Sequence, residues 1–234
     1  MTFLYKPLGQ PEMIEINSLG PFNHSVWSGR GVRISHEEKL TGRVEFLSSA
    51  LRREILKRFK PEQLREMTVF DVGCFDGWLL ESLADIPFKS MVGFEPRAEN
   101  VRKGKRIREI LGIPSRVEYV RADAAGIGGR TCHILICLGV LHHVSSVFET
   151  IRCLAATQPQ LIILESLVTP SPFITEPLIR GVEPKDIVYK RGSRKIGLSA
   201  FKFETITYPG STATNTVVEV PTRETIEMAL DVSG

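Results

Sequence analysis

The sequence predicts an α/β protein built on a doubly wound, mostly parallel sheet. Two observations support this prediction: from residue 67 onward, short apolar runs of strand length recur, and amphipathic segments of helical period separate them. Continuous apolar runs are typical of strands covered on both faces, and alternation with helices is typical of parallel strands joined by crossovers. A chain of 234 residues, 42% hydrophobic and 24% charged, is long enough to bury such a core.

The first 60 residues are expected to form an extension and a helix that pack on the core. Residues 1–34 contain three prolines and several glycines, which predict irregular structure covering the domain surface or a pocket. His24 and Trp27 could close over a pocket as a lid, and plain packing of the extension on the surface is the alternative. A capping box at 35–38 predicts the start of a helix.

Apolar residues at helical spacing continue that helix over 44–59, with an interruption expected at Gly42 and an end at Pro61. Residues 61–234 form the predicted main domain. Its strands are expected at 68–72, 90–94, 117–121, 133–138 and 161–165, and its helices at 78–84, 98–111 and 147–156. The basic side chains of the 98–111 helix are interpreted as an exposed face rather than as a track for RNA.

The pattern changes after the fifth strand. Residues 167–215 contain five prolines and too little periodic apolar content for a core of their own, so we interpret them as an insertion. Residues 201–208 are compatible with one strand of alternating polarity. The basic run 190–195 could bind phosphates, and a solvated loop is the alternative. Thr222 is expected to cap a last helix that ends at 233–234.

Composition excludes several classes of protein. The net charge of +3 does not by itself indicate a nucleic-acid or membrane partner. The sequence has no apolar run of the length expected to span a bilayer, and no secretory signal is expected from its first residues. The four cysteines form no CxxC pair, which predicts buried, reduced thiols in a cytoplasmic protein.

A glycine-rich turn joins the first strand of the sheet to the next helix. Glycines let backbone amides approach a ligand, and a helix N-terminus offers free N–H donors. The dinucleotide fingerprint GxGxxG is not met, because Phe75 stands at the second glycine and the third is missing, which disfavours an NAD enzyme. The residues expected to bind a cofactor at this turn are Asp71, Gly73, Cys74, Phe75, Asp76 and Gly77.

Acidic residues also follow the next two strands. Glu95, with Pro96 after it, follows the second strand, where a carboxylate can accept hydrogen bonds from both hydroxyls of a ribose. Asp123, with Ala124 after it, follows the third strand and is expected to reach the amino group of adenine. Together with Asp71, these residues predict an adenosyl cofactor without a pyrophosphate.

These motifs resemble those of the class I S-adenosylmethionine-dependent methyltransferases over about residues 67–166 and the last helix. Residues 71–77 resemble the first motif of that class, 94–96 its ribose-binding motif and 121–124 its adenine-side motif. Residues 138–143 resemble the motif after the fourth strand, which implies a cofactor-binding role for Leu138 and Gly139. The resemblance implies a Rossmann-like fold and S-adenosylmethionine as the cofactor.

Within that class the sequence is most similar to the subgroup containing the tRNA wobble-uridine carboxymethyl-transferring enzymes and to uncharacterised relatives. Residues 21–24, 73–77, 139–143 and 164–168 carry this resemblance. The family fold normally closes with an antiparallel hairpin after the last helix, and those strands are absent. We therefore expect either that the chain is truncated or that residues 199–220 supply an edge strand.

His142 and His143 follow the fourth strand, at the rim where a transferred methyl group would emerge. Because histidine titrates near neutral pH, either one is a candidate general base, and the alternative is that one packs against the cofactor or donates to backbone. No metal site is expected, because adjacent residues on one loop point apart and no carboxylate cluster accompanies them. Glu165, after the fifth strand, could bind the acceptor.

The predicted function is methyl transfer from S-adenosylmethionine to a small or medium polar acceptor such as a sugar or metabolite. Transfer of a methyl or carboxymethyl group to tRNA is the main alternative, and a non-catalytic scaffold that binds the cofactor is another. A small-molecule partner, the absence of a membrane partner, a homodimer and a cytoplasmic location complete this prediction.

Overall fold

The computed structural model describes residues 9–19, 27–28, 32–33, 41–111, 117–169, 199–204 and 216–234. The chain divides into two compact units, Met1–Arg121 and Ala122–Gly234, and each is described by itself. Three features of the sequence lie outside the described residues: His24 with its neighbours, the capping box at 35–38 and the basic run 190–195.

The first unit contains the N-terminal elements and three strands of the main sheet. Its helices are α1 (Gln10–Ser18), α2 (Thr41–Arg58), α3 (Pro61–Leu64), α4 (Trp78–Ser82) and α5 (Ala98–Leu111). Its strands are β1 (Trp27–Ser28), β2 (Val32–Arg33), β3 (Thr68–Val72), β4 (Ser90–Phe94) and β5 (Val117–Val120).

Within its described residues, the second unit contains the remaining strands and two helices. Its strands are β6 (Ile134–Leu138), β7 (Leu161–Glu165), β8 (Ala200–Glu204) and β9 (Thr216–Val220). Its helices are α6 (Val147–Ala155) and α7 (Arg223–Ser233), with 3-10 turns at Ala125–Ile127 and Leu141–His143.

The main sheet has five strands in the order β5-β4-β3-β6-β7. Strand β3 pairs with β4 from Thr68 opposite Ser90, and β4 pairs with β5 from Met91 opposite Val117, both in parallel. Strand β6 pairs with β7 in parallel from Ile134 opposite Leu161. An order that starts in the middle and runs outward in both directions is the doubly wound arrangement, so the predicted fold class is confirmed.

Burial of the strands explains the apolar runs of the sequence. In the first unit, the rings of Phe70 on β3 and Phe94 on β4 meet edge-on with centroids 5.0 Å apart. In the second unit, residues 134–137 of β6 are all buried. Cys74, Cys132 and Cys137 are buried and Cys153 is half-buried, and none of these four described cysteines forms a disulfide.

The N-terminal part corrects the prediction of irregular structure over residues 1–34. Helix α1 begins at Gln10, and Pro11 lies in its first turn, where a proline costs little because the amide there has no intrahelical partner. The side chain of Glu12 accepts a hydrogen bond from the amide of Gly9, which closes the helix start. From the sequence, this proline predicts an interruption of helical structure. In the structure it lies at the start of a helix.

Two further details of the helices differ from expectation. Gly42 lies within the first turn of α2 and does not interrupt it, and Pro61 opens α3 after α2 has ended at Arg58. Lys103, expected on the exposed face of α5, is buried, and its Nζ lies 3.3 Å from Glu99 Oε1. The cap of α7 is confirmed, because Thr222 Oγ1 accepts a hydrogen bond from the amide of Thr225.

Strands β8 and β9 form their own two-stranded sheet. They pair antiparallel, with Phe201 opposite Glu219. In the part of the chain that the structure describes, residues 199–220 therefore add no edge strand to the main sheet. None of the described helices combines the length and the apolar character that a membrane crossing requires.

Candidate cofactor site

The glycine turn between β3 and α4 takes a backbone path that few residues accept. Gly73, Phe75 and Gly77 have φ angles of 76°, 55° and 81°, in the left-handed region. A non-glycine residue in that region costs about 1–2 kcal/mol, so Phe75 stores strain of the kind found at binding sites. The amides of Gly73 and Cys74 both donate to the carbonyl of Phe94, at 2.8 and 3.1 Å, which anchors the turn to the end of β4.

Tyr119 on β5 supports the turn from behind. A Cβ atom on Gly77 would overlap the Tyr119 hydroxyl, so the phenol occupies the space of a side chain at that position. The hydroxyl donates a hydrogen bond of 2.7 Å to Glu81 Oε1 on α4, and the Arg108 guanidinium lies 5.7 Å from the centre of the ring. Sequence reasoning missed this residue, because a tyrosine in a buried strand has the pattern of ordinary core.

Two aspartates of the turn are buried. Asp71 is 3% exposed, and no described residue donates a hydrogen bond to its Oδ2. Burial, with a smaller contribution from Glu95, raises the pKa of Asp71 to about 7. Burial also raises the pKa of Asp76 to about 7, against the opposing effects of the Trp78 amide and the Lys103 ammonium. For both carboxyl groups, the loss of hydration on burial outweighs the interactions that favour the charged form.

Glu95 connects the end of β4 to the turn. Its Oε2 accepts a hydrogen bond of 3.2 Å from the amide of Phe75, and its Oε1 accepts from the amide of Arg97 at 3.0 Å and from Asn100 Nδ2 at 3.3 Å. Burial raises the pKa of Glu95, and the bonds from Arg97 and Asn100 lower it. The binding of ribose hydroxyls by Glu95 stays a prediction, because each of these bonds joins the carboxylate to a protein group.

Cys74 and Pro96 lie at the margins of this arrangement. The thiol of Cys74 is turned toward β4, where its Sγ lies 2.6 Å from the position of a Cβ on Gly93. Burial raises the pKa of that thiol well above its usual value. Pro96 is exposed, and its carbonyl accepts a hydrogen bond of 3.3 Å from Arg121 Nε. Neither residue presents a charged group to a ligand.

Asp71 of the first unit has a chemistry that fits the ammonium group of S-adenosylmethionine. That cofactor carries an ammonium group and a sulfonium, and a buried carboxylate oxygen without a partner, such as Asp71 Oδ2, fits a cationic donor. The pyrophosphate of a dinucleotide would instead bring negative charge to the same buried carboxylates.

In the second unit, Asp123 and Ala124 form a surface turn. Asp123 is exposed, and its Oδ1 accepts a hydrogen bond of 2.9 Å from the amide of Gly126. Ala124 directly precedes the 3-10 turn Ala125–Ile127. The aspartate thus stabilises a local turn. The contact of Asp123 with adenine stays a prediction.

The chain leaves β6 through a second tight turn. Leu138 is the last residue of β6 and is half-buried. Gly139 has a φ angle of 71°, and its amide donates a hydrogen bond of 2.9 Å to the carbonyl of Glu165 at the end of β7. The backbone of Glu165 therefore has a structural partner in this turn.

His142 and His143 lie together in the 3-10 turn after Gly139, with ring centroids 4.0 Å apart. His142 is buried, and its Nδ1 accepts a hydrogen bond of 3.3 Å from the amide of Leu167 and lies 3.2 Å from Ser166 Oγ. An Nδ1 that accepts from a backbone amide carries no proton, so this network assigns the proton of neutral His142 to Nε2. His143 is half-buried.

Comparison with known proteins identifies the family. The methyltransferase-domain family matches residues 43–225. The chain is 28% identical over 100 residues to the ubiquinone biosynthesis O-methyltransferase of Methylobacterium sp. (strain 4-46), which covers 42% of this chain and 40% of that protein. It is 25% identical over 129 residues to the tRNA U34 carboxymethyltransferase of Helicobacter pylori (strain Shi470), covering 53% and 49%. The chain thus spans about half or less of the length of these relatives.

A solved structure supports the fold. The N-terminal domain of EvdMO1, determined with SAH bound, superposes with a TM-score of 0.67 at 18% identity, over 97% of this chain and 88% of that one. At this identity the likeness concerns the fold alone. The family match covers more than half of the chain, and the protein therefore belongs to the methyltransferase-domain family of S-adenosylmethionine-dependent methyltransferases.

Proposed function

We propose that this protein transfers a methyl group from S-adenosylmethionine to a small polar acceptor, such as a sugar or another metabolite. The observation that carries the cofactor half of the proposal is the buried Oδ2 of Asp71, which has no hydrogen-bond donor among the described residues. An enzyme site that keeps a buried carboxylate without a partner is suited to a cationic ligand.

The cofactor contacts expected from the sequence are part of this proposal. Asp71 and the turn 73–77 hold its amino-acid end, Glu95 its ribose and Asp123 its adenine, and Leu138 and Gly139 line its path along β6. When bound, S-adenosylmethionine supplies a methyl group on a sulfonium that is a good leaving group. The task left to the protein is to align the acceptor with that methyl group and to exclude water.

His143 is the proposed general base of the pair. Its imidazole would take the proton that an acceptor hydroxyl loses during transfer, a role that typically contributes about 10²–10⁴-fold. The Nδ1 of His142 is already bonded to the amide of Leu167, so His142 offers an Nε2–H donor and supports the neighbouring ring. His142 is therefore proposed to orient the turn rather than to accept a proton.

Two basic residues of α5 support a small acceptor over RNA. Lys103 is buried, makes an ion pair with Glu99, and its positive charge lowers the pKa of Asp76. Arg106 makes ion pairs with Glu15 and Glu109. Engaged in this way, Lys103 and Arg106 are less available to a phosphate backbone. The described cysteines form no disulfide, which supports the proposed cytoplasmic location.

A tRNA-modifying transferase is the second candidate, and the similarity to the tRNA U34 carboxymethyltransferase of Helicobacter pylori favours it. A scaffold that binds the cofactor without catalysis is the third. A homodimer remains part of the proposal and is checked by the mass of the protein in solution.

Calorimetric titration tests the cofactor half. We expect S-adenosylhomocysteine (SAH) to bind and NAD not to bind, and Asp71→Ala and Glu95→Ala each to weaken SAH binding by more than about tenfold through lost charge-assisted bonds. Wild-type affinity in both variants would contradict the assignment. Transfer of labelled methyl is then measured over sugars, metabolites and tRNA. Binding of SAH without transfer to any acceptor favours the scaffold.

A further inference from the structure

The turn that carries His142 and His143 is held at its exit by a strand from the far end of the chain. The amide of Glu219, on β9, donates a hydrogen bond of 2.7 Å to the carbonyl of Val144. The side chain of the same residue, through Oε2, accepts a hydrogen bond of 2.5 Å from the amide of Val147. One residue therefore contacts the backbone on both sides of the short link between His143 and α6.

The side-chain bond is not needed merely to begin α6. The helix already has a local cap, because Ser146 Oγ accepts a hydrogen bond from the amide of Glu149. Glu219 is 8% exposed and lies 72 residues further along the chain, so its carboxylate gives up hydration to reach Val147. A long-range buried contact that adds to a sufficient local cap fixes the position of the helix start.

A second bond ties the same region to the segment that holds His142. The amide of Thr169 donates a hydrogen bond of 2.8 Å to the carbonyl of Pro221, directly after β9. Two and three residues earlier, Leu167 and Ser166 contact Nδ1 of His142. The end of β9 thus fixes both the segment behind His142 and the link that follows His143.

We propose that Glu219 is a positioning residue for His143. Its amide and its carboxylate together set the distance between Val144 and Val147, and this sets the direction in which the chain leaves His143. A displacement of about 1 Å at a reacting group can reduce a rate by about 10²-fold, so a backbone clamp next to a general base affects turnover. The inference rests on the proposed role of His143.

The test compares Glu219→Ala with Glu219→Gln and with a stability control. Glu219→Ala removes the acceptor for the amide of Val147, whereas the side-chain carbonyl of Glu219→Gln restores it. Thr222→Ala removes the cap of α7, at a cost of about 1 kcal/mol, without touching the clamp. If Glu219→Ala does not fold, Glu219→Asp serves instead, because its shorter side chain withdraws the oxygen from Val147.

The primary readout is the NMR signal of the His143 ring in protein labelled at its histidines. The protein has five histidines. A His143→Gln variant assigns the signal. We expect Glu219→Ala to move the signal, and Glu219→Gln and Thr222→Ala to leave it unchanged. In an active enzyme, Glu219→Ala lowers kcat by about tenfold or more and changes SAH affinity by less than about twofold.

Three results would overturn the inference: a His143 signal unchanged in Glu219→Ala or its Asp substitute, an equal change in Thr222→Ala, or a Glu219→Gln variant as defective as Glu219→Ala. The NMR comparison needs neither cofactor nor acceptor. Absence of SAH binding by the wild-type protein would therefore reject the proposed function while leaving the positional effect of Glu219 measurable.

Discussion

At the scale of single residues, burial of the Asp71 carboxylate lowers the stability of the fold and prepares the residue to bind a cationic ligand. It is the fourth residue of β3, buried, and its pKa is raised to about 7 by burial and by Glu95. A charged carboxylate in this place is poorly solvated in the protein without cofactor. The same lack of a partner makes it a strong acceptor for a cationic group, which is how a binding site can be less stable than its surroundings.

The substitution Asp71→Asn is expected to change stability and binding in opposite directions. Above pH 7 it removes a buried charge and raises the free energy of unfolding, while it weakens SAH binding by more than about tenfold through loss of a charge-assisted bond. Denaturant unfolding and calorimetry measure the two effects. As a control, Asp85→Asn, which breaks the ion pair with Arg52, lowers stability and leaves affinity unchanged. An Asp71→Asn variant that is less stable than the wild type and binds SAH normally would contradict this account.

The raised pKa of Asp71 also predicts how pH acts on the protein. The ordinary value is 3.8 and the folded value about 7, so the folded state holds a proton that the unfolded state has already lost. Its contribution to stability therefore falls as pH rises from about 4 to about 7. A cationic ligand prefers the ionised carboxylate, so SAH affinity is expected to increase as pH rises through about 7. Calorimetry across this range should give a flatter profile for Asp71→Asn, and an equally steep profile would assign the effect to other groups.

His143 gives the third prediction at this scale. Removing a general base lowers turnover without removing a cofactor contact, so His143→Ala is expected to reduce kcat by about 10²-fold or more and to change SAH affinity little. Initial rates with a transferred methyl label and SAH titration measure the two quantities. His133→Ala, another half-buried histidine, serves as the control. Equal losses of turnover and affinity in His143→Ala would indicate a structural role.

At the scale of elements, the glycine turn depends on the strand and helices around it. Tyr119 from β5 fills the space beside Gly77 and donates to Glu81 of α4. Burial raises the pKa of Glu81 to about 7, against the lowering effect of the Tyr119 bond and Arg108. The path of the turn is therefore fixed by its neighbours as well as by its own glycines.

A pair of glycine variants separates backbone strain from this packing. Gly77 and Gly129 both have positive φ angles, and only at Gly77 would a Cβ meet other atoms within 4 Å. We expect Gly129→Ala to cost about 1–2 kcal/mol, the penalty for a left-handed alanine. Gly77→Ala should cost clearly more and weaken SAH binding, because Tyr119 must move. Denaturant unfolding measures the stability of each variant, and calorimetry measures its SAH affinity. Equal losses of stability in the two variants would show that Tyr119 moves aside at little energetic cost.

The sequence located most elements and missed others for identifiable reasons. The strands of the main sheet fall within one residue of prediction, because a strand covered on both faces leaves an unbroken apolar run. Helix α1 was missed, because the sequence does not distinguish a proline in the first turn of a helix, such as Pro11, from a proline that breaks a helix. The pairing of β8 with β9 was missed, because nothing local encodes which partner a short strand takes.

At the scale of the whole molecule, charge bears on the choice of acceptor. The net charge is +3, and two basic residues of α5 are held in ion pairs, Lys103 with Glu99 and Arg106 with Glu109. Non-specific binding to nucleic acid by phosphate contacts alone is weak, with dissociation constants of about 10⁻⁴–10⁻⁶ M at physiological salt.

We therefore expect tRNA to bind no more tightly than that non-specific range and not to receive the methyl label. Fluorescence anisotropy at two salt concentrations, together with the transfer assay, measures both. Replacing Arg191, Arg194 and Lys195 by alanine tests the basic run 190–195 separately. Tighter binding that weakens steeply with salt, with label appearing in tRNA, would favour the second candidate function instead.

The sequence by itself determined the sheet, the glycine turn and the acidic residues at the strand ends, because apolar period and glycine spacing are local properties of the chain. Only the tertiary structure decided what those residues contact: Glu95 bonds to Phe75, Tyr119 stands beside Gly77, and Glu219 clamps the exit of the histidine turn. Contacts between residues 20 to 72 positions apart depend on strand order and packing, and neither is written in any local stretch of sequence.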